Sequence, residues 1–317
     1  MNQTPLALIC VADSPHAMAV ARQGVCMSLR LGLVPHFVHV SDADEAKRQA
    51  LLRQLAEAES DVEPRTAQDA DAGTPAEPLT QRFHVVSGEP AGAIVAEAVR
   101  LRATLVIMGA LDRDPPMVRM MGSVARRVAR QAPCSVLLLP GPNLEQPPGQ
   151  RIVVHVMMDV DSLEMVRLAV RLGSRQSGGQ VHFVRDFDVS EARWLSTGAV
   201  GESVSVERYL SLRREAEETL LREFVAPLDL SGVQHKTVAL PGHEGLEAIE
   251  YANNVDADLL VMRAPLQRLT FLDRVFHHPI EAVLGRLPCG LLLFRPDTSP
   301  AVHPQQATPG PDEGPTA

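Results

Sequence analysis

Aromatic residues are scarce in this 317-residue chain: one tryptophan, two tyrosines and eight phenylalanines make up 3% of it. Its cores must therefore be built from Ala, Val, Leu and Ile, within a hydrophobic content of 45% that is ordinary for a globular protein. Positive charge is also short, with 30 Lys and Arg against 39 Asp and Glu and a formal net charge of −9. That balance argues against a general binder of nucleic acid or anionic membrane, because phosphate affinity rests on clustered cations. The four cysteines, at positions 10, 26, 134 and 289, form no CxxC pair and no zinc spacing. Three of them sit in apolar strand or helix surroundings and read as buried free thiols suited to a reducing compartment. No apolar run approaches the roughly 18 to 20 residues of a membrane span. The N-terminal stretch MNQTPLALICVADS lacks the basic start and long apolar run of a signal peptide. The expectation is a soluble, cytoplasmic protein without a membrane or nucleic-acid partner.

The length suits two domains. Residues 92–139 lie over 247–294 at a constant displacement of 155. In that alignment Ile94 meets Ile249, Leu105 meets Leu260, Val106 meets Val261 and Arg119 meets Arg274. Pro133-Cys134 meets Pro288-Cys289 before a second apolar run, as expected of an internal duplication. Each half alternates apolar runs with helix-like stretches. In the first half the strands are expected at 6–12, 34–40, 83–86, 104–108 and 135–139. Helices are expected at 15–31, 42–58, 91–102 and 123–131. The second half repeats this from 152–157 to 290–294, with a helix at 204–225. The fold class is α/β: two duplicated doubly wound domains, each with a five-stranded parallel sheet. The domains are set at 1–140 and 151–296, with a flexible insertion at 60–80 and a Pro-rich linker at 141–150. A disordered tail fills 297–317, where five prolines interrupt a weakly apolar segment.

In a doubly wound sheet, ligands bind outside the carboxyl ends of the strands, where the strand order reverses. Asp13 ends the first strand there and is either a ribose acceptor or, with Ser14, the cap of the next helix. Gly109 ends the fourth strand, either as a plain strand end or to let a ligand approach the backbone. Gly122-Ser123 opens the basic helix VARRVAR, whose start favours an anion; Ser123 is otherwise an ordinary cap.

These residues, with Ser87–Pro90 (SGEP) before the third helix, Met108-Gly109, and Ala132–Cys134 (APC) before the last strand, resemble the universal stress protein family in its tandem form. The resemblance implies an adenine-nucleotide alpha-hydrolase-like fold and a bound ATP or AMP. ATP-binding members carry G-x2-G-x9-G-[S/T], and Gly109, Asp112, Gly122 and Ser123 stand at those spacings. By that resemblance Asp13 contacts the nucleoside and Val40 lies beside the base. Met108 and Gly109 border the site, and Gly122, Ser123 and Val124 hold the phosphates. The resemblance also implies pairing of the domains through their last strands, 135–139 and 290–294, either within the fused chain or in dimers of it.

Asp112 departs from the motif. A carboxylate about 5 Å from a phosphate charge meets roughly 3 kcal/mol of repulsion at an effective dielectric near 20, or about a hundredfold in affinity. Arg113, Arg119 or Arg126 offers one offset, and a divalent cation such as magnesium, shared by Asp112 and the phosphates, offers another. The second half departs further. At the constant displacement Ala264 takes the Gly109 position, Gln267 that of Asp112, and His277-His278 those of Gly122-Ser123, with Arg263 opposite Met108. Adjacent histidines are weak metal ligands without a completing carboxylate or thiol, so no metal site is assigned.

No nucleophile–base pair stands out. His243-Glu244 reads as part of a turn, and Met117, Met120 and Met121 read as packing or as a patch for an unidentified protein partner. The expected function is a non-catalytic regulatory protein with weakened adenine-nucleotide binding in its first half and a degenerate second site. The rivals are a scaffold that binds no nucleotide and a slow ATP hydrolase.

Overall fold

The computed structural model describes residues 4–42, 45–62, 77–110, 121–140, 148–190, 206–243, 245–264, 287 and 289–296. In the first half the strands are β1 (Leu6–Cys10), β2 (Val34–Val40), β3 (Phe83–Val86), β4 (Leu105–Gly109) and β5 (Ser135–Leu139). Its helices are α1 (Ala17–Leu31), α2 (Glu45–Ser60), a short α3 (Leu79–Arg82), α4 (Pro90–Leu101) and α5 (Ser123–Gln131). The second half has strands β6 (Arg151–His155), β7 (Gln180–Phe187), β8 (Gln234–Pro241), β9 (Leu259–Arg263) and β10 (Gly290–Phe294). Its helices are α6 (Val160–Ser174), α7 (Val206–Val225) and α8 (Leu246–Asn254).

The central strands are continuous apolar runs because both of their faces are covered. LALIC of β1 and SVLLL of β5 are buried at every residue. Helix boundaries follow local chemistry. Gly32 ends α1 in the left-handed region at φ 70°, donating back to the carbonyls of Leu29 and Ser28. Glu89 caps α4, accepting from the N–H groups of Ala91 and Gly92, with Pro90 in the first turn. The SGEP signature is therefore a helix-starting device in this chain.

The sheet corrects one expectation. The two halves do not keep separate five-stranded sheets but share one of ten strands, ordered β3-β2-β1-β4-β5-β10-β9-β6-β7-β8. All neighbours are parallel except β5 and β10, which run antiparallel with Leu138 opposite Leu291 and Leu137 opposite Leu292. Pairing these two edges satisfies backbone groups that would otherwise face solvent. Arg295 N–H donates to Ser135 Oγ at 3.0 Å and prolongs the seam. Two apolar layers, one on each sheet face, run through both halves. One joins Val106 and Leu138 to Leu260 and Leu291, and the other joins Ile9 and Leu137 to Val154 and Leu292.

Two polar ties also fix the end of the segment that connects the halves. The almost fully buried Arg30 of α1 donates to the Pro148 carbonyl at 3.3 Å. Asp258 accepts from the backbone N–H groups of Gly149, Gln150 and Arg151 at 2.9, 2.7 and 3.1 Å. Among the described residues, no helix is long and apolar enough to cross a membrane.

The duplication holds, but its register does not stay constant at 155. Arg102 and Asp256 are matching left-handed positions at φ 52° and 49°. After them, Ala103 donates to Ala98 as Ala257 does to Ala252, and Thr104 donates to Leu6 as Asp258 does to Arg151. Ala110 donates to Leu139 as Ala264 does to Phe294. The displacement is therefore 154 through β4 and β9 and becomes 155 at β5 and β10, so the connection after β9 holds one more residue. Leu105 pairs with Leu259, not Leu260, and Gly109 is matched by Arg263, not Ala264.

Candidate functional site

The sheet order reverses between β1 and β4, and a cleft of about 520 Å³ opens at their carboxyl ends. Its apolar floor comes from Cys10, Val38 and Val40 on one side and Met108 and Leu139 on the other. Asp13, Ser14 and His16 line the rim after β1, and Gly122, Ser123 and Val124 line it at the start of α5. Of the expected site residues, Asp13, Val40, Met108, Gly109, Gly122, Ser123 and Val124 come together here. Asp112 lies outside the described residues, as do Gln267, His277-His278, Met117 and Met120.

The N-cap positions at the rim are held by residues other than those expected. Helix α1 begins at Ala17, and its N-cap is His16, with no side-chain cap. Asp13 is instead turned to Lys47 in the first turn of α2, which donates to its Oδ2 at 2.8 Å. Gly122, not Ser123, is the N-cap of α5; being glycine, it offers no side chain to the N–H groups of the first turn. Its own N–H donates to the Ala110 carbonyl at 2.9 Å, which ties the start of α5 to the end of β4. At α4 an anion is already in place: the Glu89 carboxylate takes two N–H groups and pairs with Arg127 at 2.9 Å. The Gly92 N–H first, then those of Ala91 and the Arg127 charge, hold that carboxyl below its usual range.

Gly109 stands close to α1, since a Cβ on it would meet Val20 Cγ2 at 3.3 Å. Burial pushes the Cys10 thiol up to about 12, which leaves it a packing residue and not a nucleophile at neutral pH. Met121 is buried in the core layer, and His243 sits in the bend between β8 and α8. Among the described residues, no group of three or more His, Cys, Asp and Glu side chains is arranged to hold a metal ion. Lys47 is the partner of Asp13 that the sequence does not reveal; it lies 34 residues from Asp13, and no local pattern joins the two.

The corresponding crevice of the second half has a different chemistry. Counted from matching strand ends, His155 stands where Cys10 does, Met158 where Asp13 does, Asp186 where Val40 does and Arg263 where Gly109 does. Arg263 reaches back to the start of α6, donating through Nη1 to Asp159 and through Nη2 to Asp161. Asp159 also caps α6 by accepting from Ser162 N–H at 2.8 Å. The fully buried Asp186 lies 3.4 Å from His155 Nε2 and accepts from the Gly245 N–H.

Fold and cleft together define a doubly wound α/β protein with a ligand-sized crevice at the switch point of its first half. The Universal stress protein family model matches residues 7–140 and 149–295, and the chain belongs to that family. None of the curated proteins compared with the chain matches it. Among solved structures, a putative universal stress protein from Pseudomonas aeruginosa UCBPP-PA14 is similar at 16% identity and a TM-score of 0.61, over 92% of this chain and 93% of that one. A functionally unknown protein from Pseudomonas aeruginosa PAO1 is similar at 15% identity and 0.58, over 92% of each chain. A universal stress protein from Archaeoglobus fulgidus DSM 4304 is similar at 14% and 0.53, over 91% of this chain and 96% of that one. At these identities the likeness concerns the fold alone.

Proposed function

We propose that the chain is a regulatory protein whose first half, residues 1–140, binds an adenine nucleotide weakly, while the second, residues 151–296, binds none. The observation that carries this reading is the convergence of an apolar floor, an acid at the nucleoside end and a glycine-started helix on one cleft. The floor suits a flat base beside Val40 and Met108, and Asp13 suits the ribose hydroxyls. The first-turn N–H groups of α5 suit a phosphate, with the Ser123 hydroxyl as a further donor. Gly109, lacking a side chain, leaves room between these two ends.

The second crevice supports the other part of the reading. An arginine stands where the ligand would pass Gly109, and a buried carboxylate stands where the base would meet Val40. Regulation would work by population shift, the nucleotide favouring whichever arrangement of the cleft binds it better.

The test is calorimetric titration of metal-stripped protein with ATP and AMP, alongside Asp112→Gly. Native protein should bind more weakly than micromolar, and the glycine variant should gain up to about a hundredfold for ATP. Micromolar or tighter binding of ATP by the native chain without a cation would show that Asp112 does not impair the site.

A further inference from the structure

We propose that the mouth of the second crevice is a docking surface for a partner protein, recognised through a segment that carries apolar side chains flanked by lysine or arginine. The inference concerns the second half and stands independently of the nucleotide reading of the first. It starts from where the chain leaves large apolar side chains in solvent. Among the described residues these are Val99, Met157, Val160, Leu212, Leu220 and Leu246. Single exposed apolar residues are ordinary, whereas several around one opening mark a contact surface.

Met157, Val160 and Leu246 belong to this one mouth. Met157 follows β6, and its N–H donates to Ser162 Oγ at 3.2 Å, which holds it beside the start of α6. Val160 opens α6 and is 81% exposed. Leu246 opens α8, and the N–H of Gly245 just before it donates to Asp186 near the end of β7. By the matching of the two halves, these positions correspond to Ala12, Pro15 and Gly92. Ala12 and Pro15 line the first cleft. The second half therefore carries larger apolar side chains where the first has small ones. A valine so exposed gains little from folding, and Met158 beside it holds a left-handed φ of 59°, which is costly for a residue other than glycine. Neither is a choice that stability dictates.

The charges around the patch define what covers it. Asp159 and Asp161 stand on either side of Val160, and Arg263 answers both. Glu247 follows Leu246 in the first turn of α8, and Asp188 is exposed just beyond β7. Arg185 is already paired with Glu217 of α7. The rim is thus acidic around an apolar centre. Two copies of the chain meeting mouth to mouth would set these carboxylates against one another, which disfavours that pairing. A segment with apolar anchors and flanking cations is matched on both counts, its cations steering the encounter and its anchors supplying affinity. The flexible Met157 side chain adapts to the shape of such an anchor.

The experiment measures fluorescence anisotropy of two labelled amphipathic peptides, one of leucine and lysine and one of leucine and glutamate, with the full chain. The native chain should bind the lysine peptide and not the glutamate peptide. Val160→Ser combined with Leu246→Ser should weaken that binding by about tenfold or more. Val160→Lys should weaken it as well, and by more at low salt than at high salt. Leu212→Ser with Leu220→Ser, on α7, should leave it within about twofold, because that helix lies outside the mouth. Circular dichroism checks that each variant keeps the native fold. Equal affinity for the two peptides, no binding of either, or an unchanged affinity after Val160→Ser with Leu246→Ser would overturn the inference. So would self-association of the native chain in sedimentation that Val160→Ser abolishes, since the occupant would then be a second copy. None of these outcomes bears on nucleotide binding by the first half.

Discussion

The two crevices occupy the same place in duplicated halves, yet their chemistry is exchanged position by position. Where the first half has Cys10, Val40 and Gly109, the second has His155, Asp186 and Arg263, and the acid Asp13 gives way to Met158. The apolar, open positions are ionic there, and those charges are matched with one another. Arg263 answers Asp159 and Asp161, and Asp186 answers His155 and the Gly245 N–H. A fold supplies the crevice, but its side chains decide the chemistry it presents.

The largest expected effect comes from moving one residue of the second crevice into the first. Gly109→Arg places a guanidinium across the first cleft, and even its Cβ presses on Val20 at 3.3 Å. Adenine-nucleotide binding should fall by more than about a hundredfold, since filling a pocket removes contact and admits strain together. Loss of the nucleotide-induced rise in Tm would register it; an undiminished rise would mean that Gly109 does not border the ligand.

Removing the arginine of the second crevice acts on stability instead. Arg263→Met leaves two carboxylates near the start of α6 without their shared cation. Arg263 is mostly buried, its side chain 14% exposed, while Asp159 and Asp161 retain 42% and 34% of theirs. The cost should therefore fall below that of a fully buried pair, at about 2 kcal/mol. Urea denaturation should show a lower midpoint, and the loss should shrink when Asp159→Asn and Asp161→Asn are added. A midpoint unchanged by Arg263→Met would show that the network does not stabilise the second half.

Much of this architecture is legible in the chain because a parallel sheet writes its strands as apolar runs. The bounds expected for β2, β3, β5, α5 and β10 match those found. The helix expected from residue 15 begins two residues later, because Ser14 and His16 form the turn that precedes it. The displacement error has a plain cause. Apolar runs such as LVIM and LLVM fit one another almost equally well one step out of register, so side-chain type alone does not fix the frame. Backbone conformation does, through the left-handed Arg102 and Asp256. The fused sheet was visible only as a pairing of last strands, since hydrogen bonding between β5 and β10 leaves no mark distinct from burial. Lys47 was invisible for a different reason: its contact with Asp13 depends on how α2 packs, not on any spacing.

The halves agree in one respect, and it yields the smallest of these effects. His36 of β2 and His182 of β7 occupy matching positions, paired with Leu8 and Val153 on the adjacent strands. Both are buried, and burial first, then nearby positive charge, pulls each down to about 4. His36 contacts His84 at 3.1 Å, with Arg82, Arg100 and Glu97 also acting on it. His182 contacts the Tyr251 hydroxyl at 3.2 Å, near Lys236 and Arg151. A histidine whose folded pKa lies below its unfolded value of 6.5 binds more protons when unfolded between the two values. Its contribution is therefore complete above about pH 6.5 and is lost as pH falls through about 4. At pH 5 each should cost about 1–2 kcal/mol relative to pH 8. His36→Gln and His182→Gln should each flatten the decline of Tm between pH 6.5 and 4 by a similar amount, and the double variant by their sum. If only one substitution flattened the curve, the likeness of the two halves would be confined to the backbone at this position.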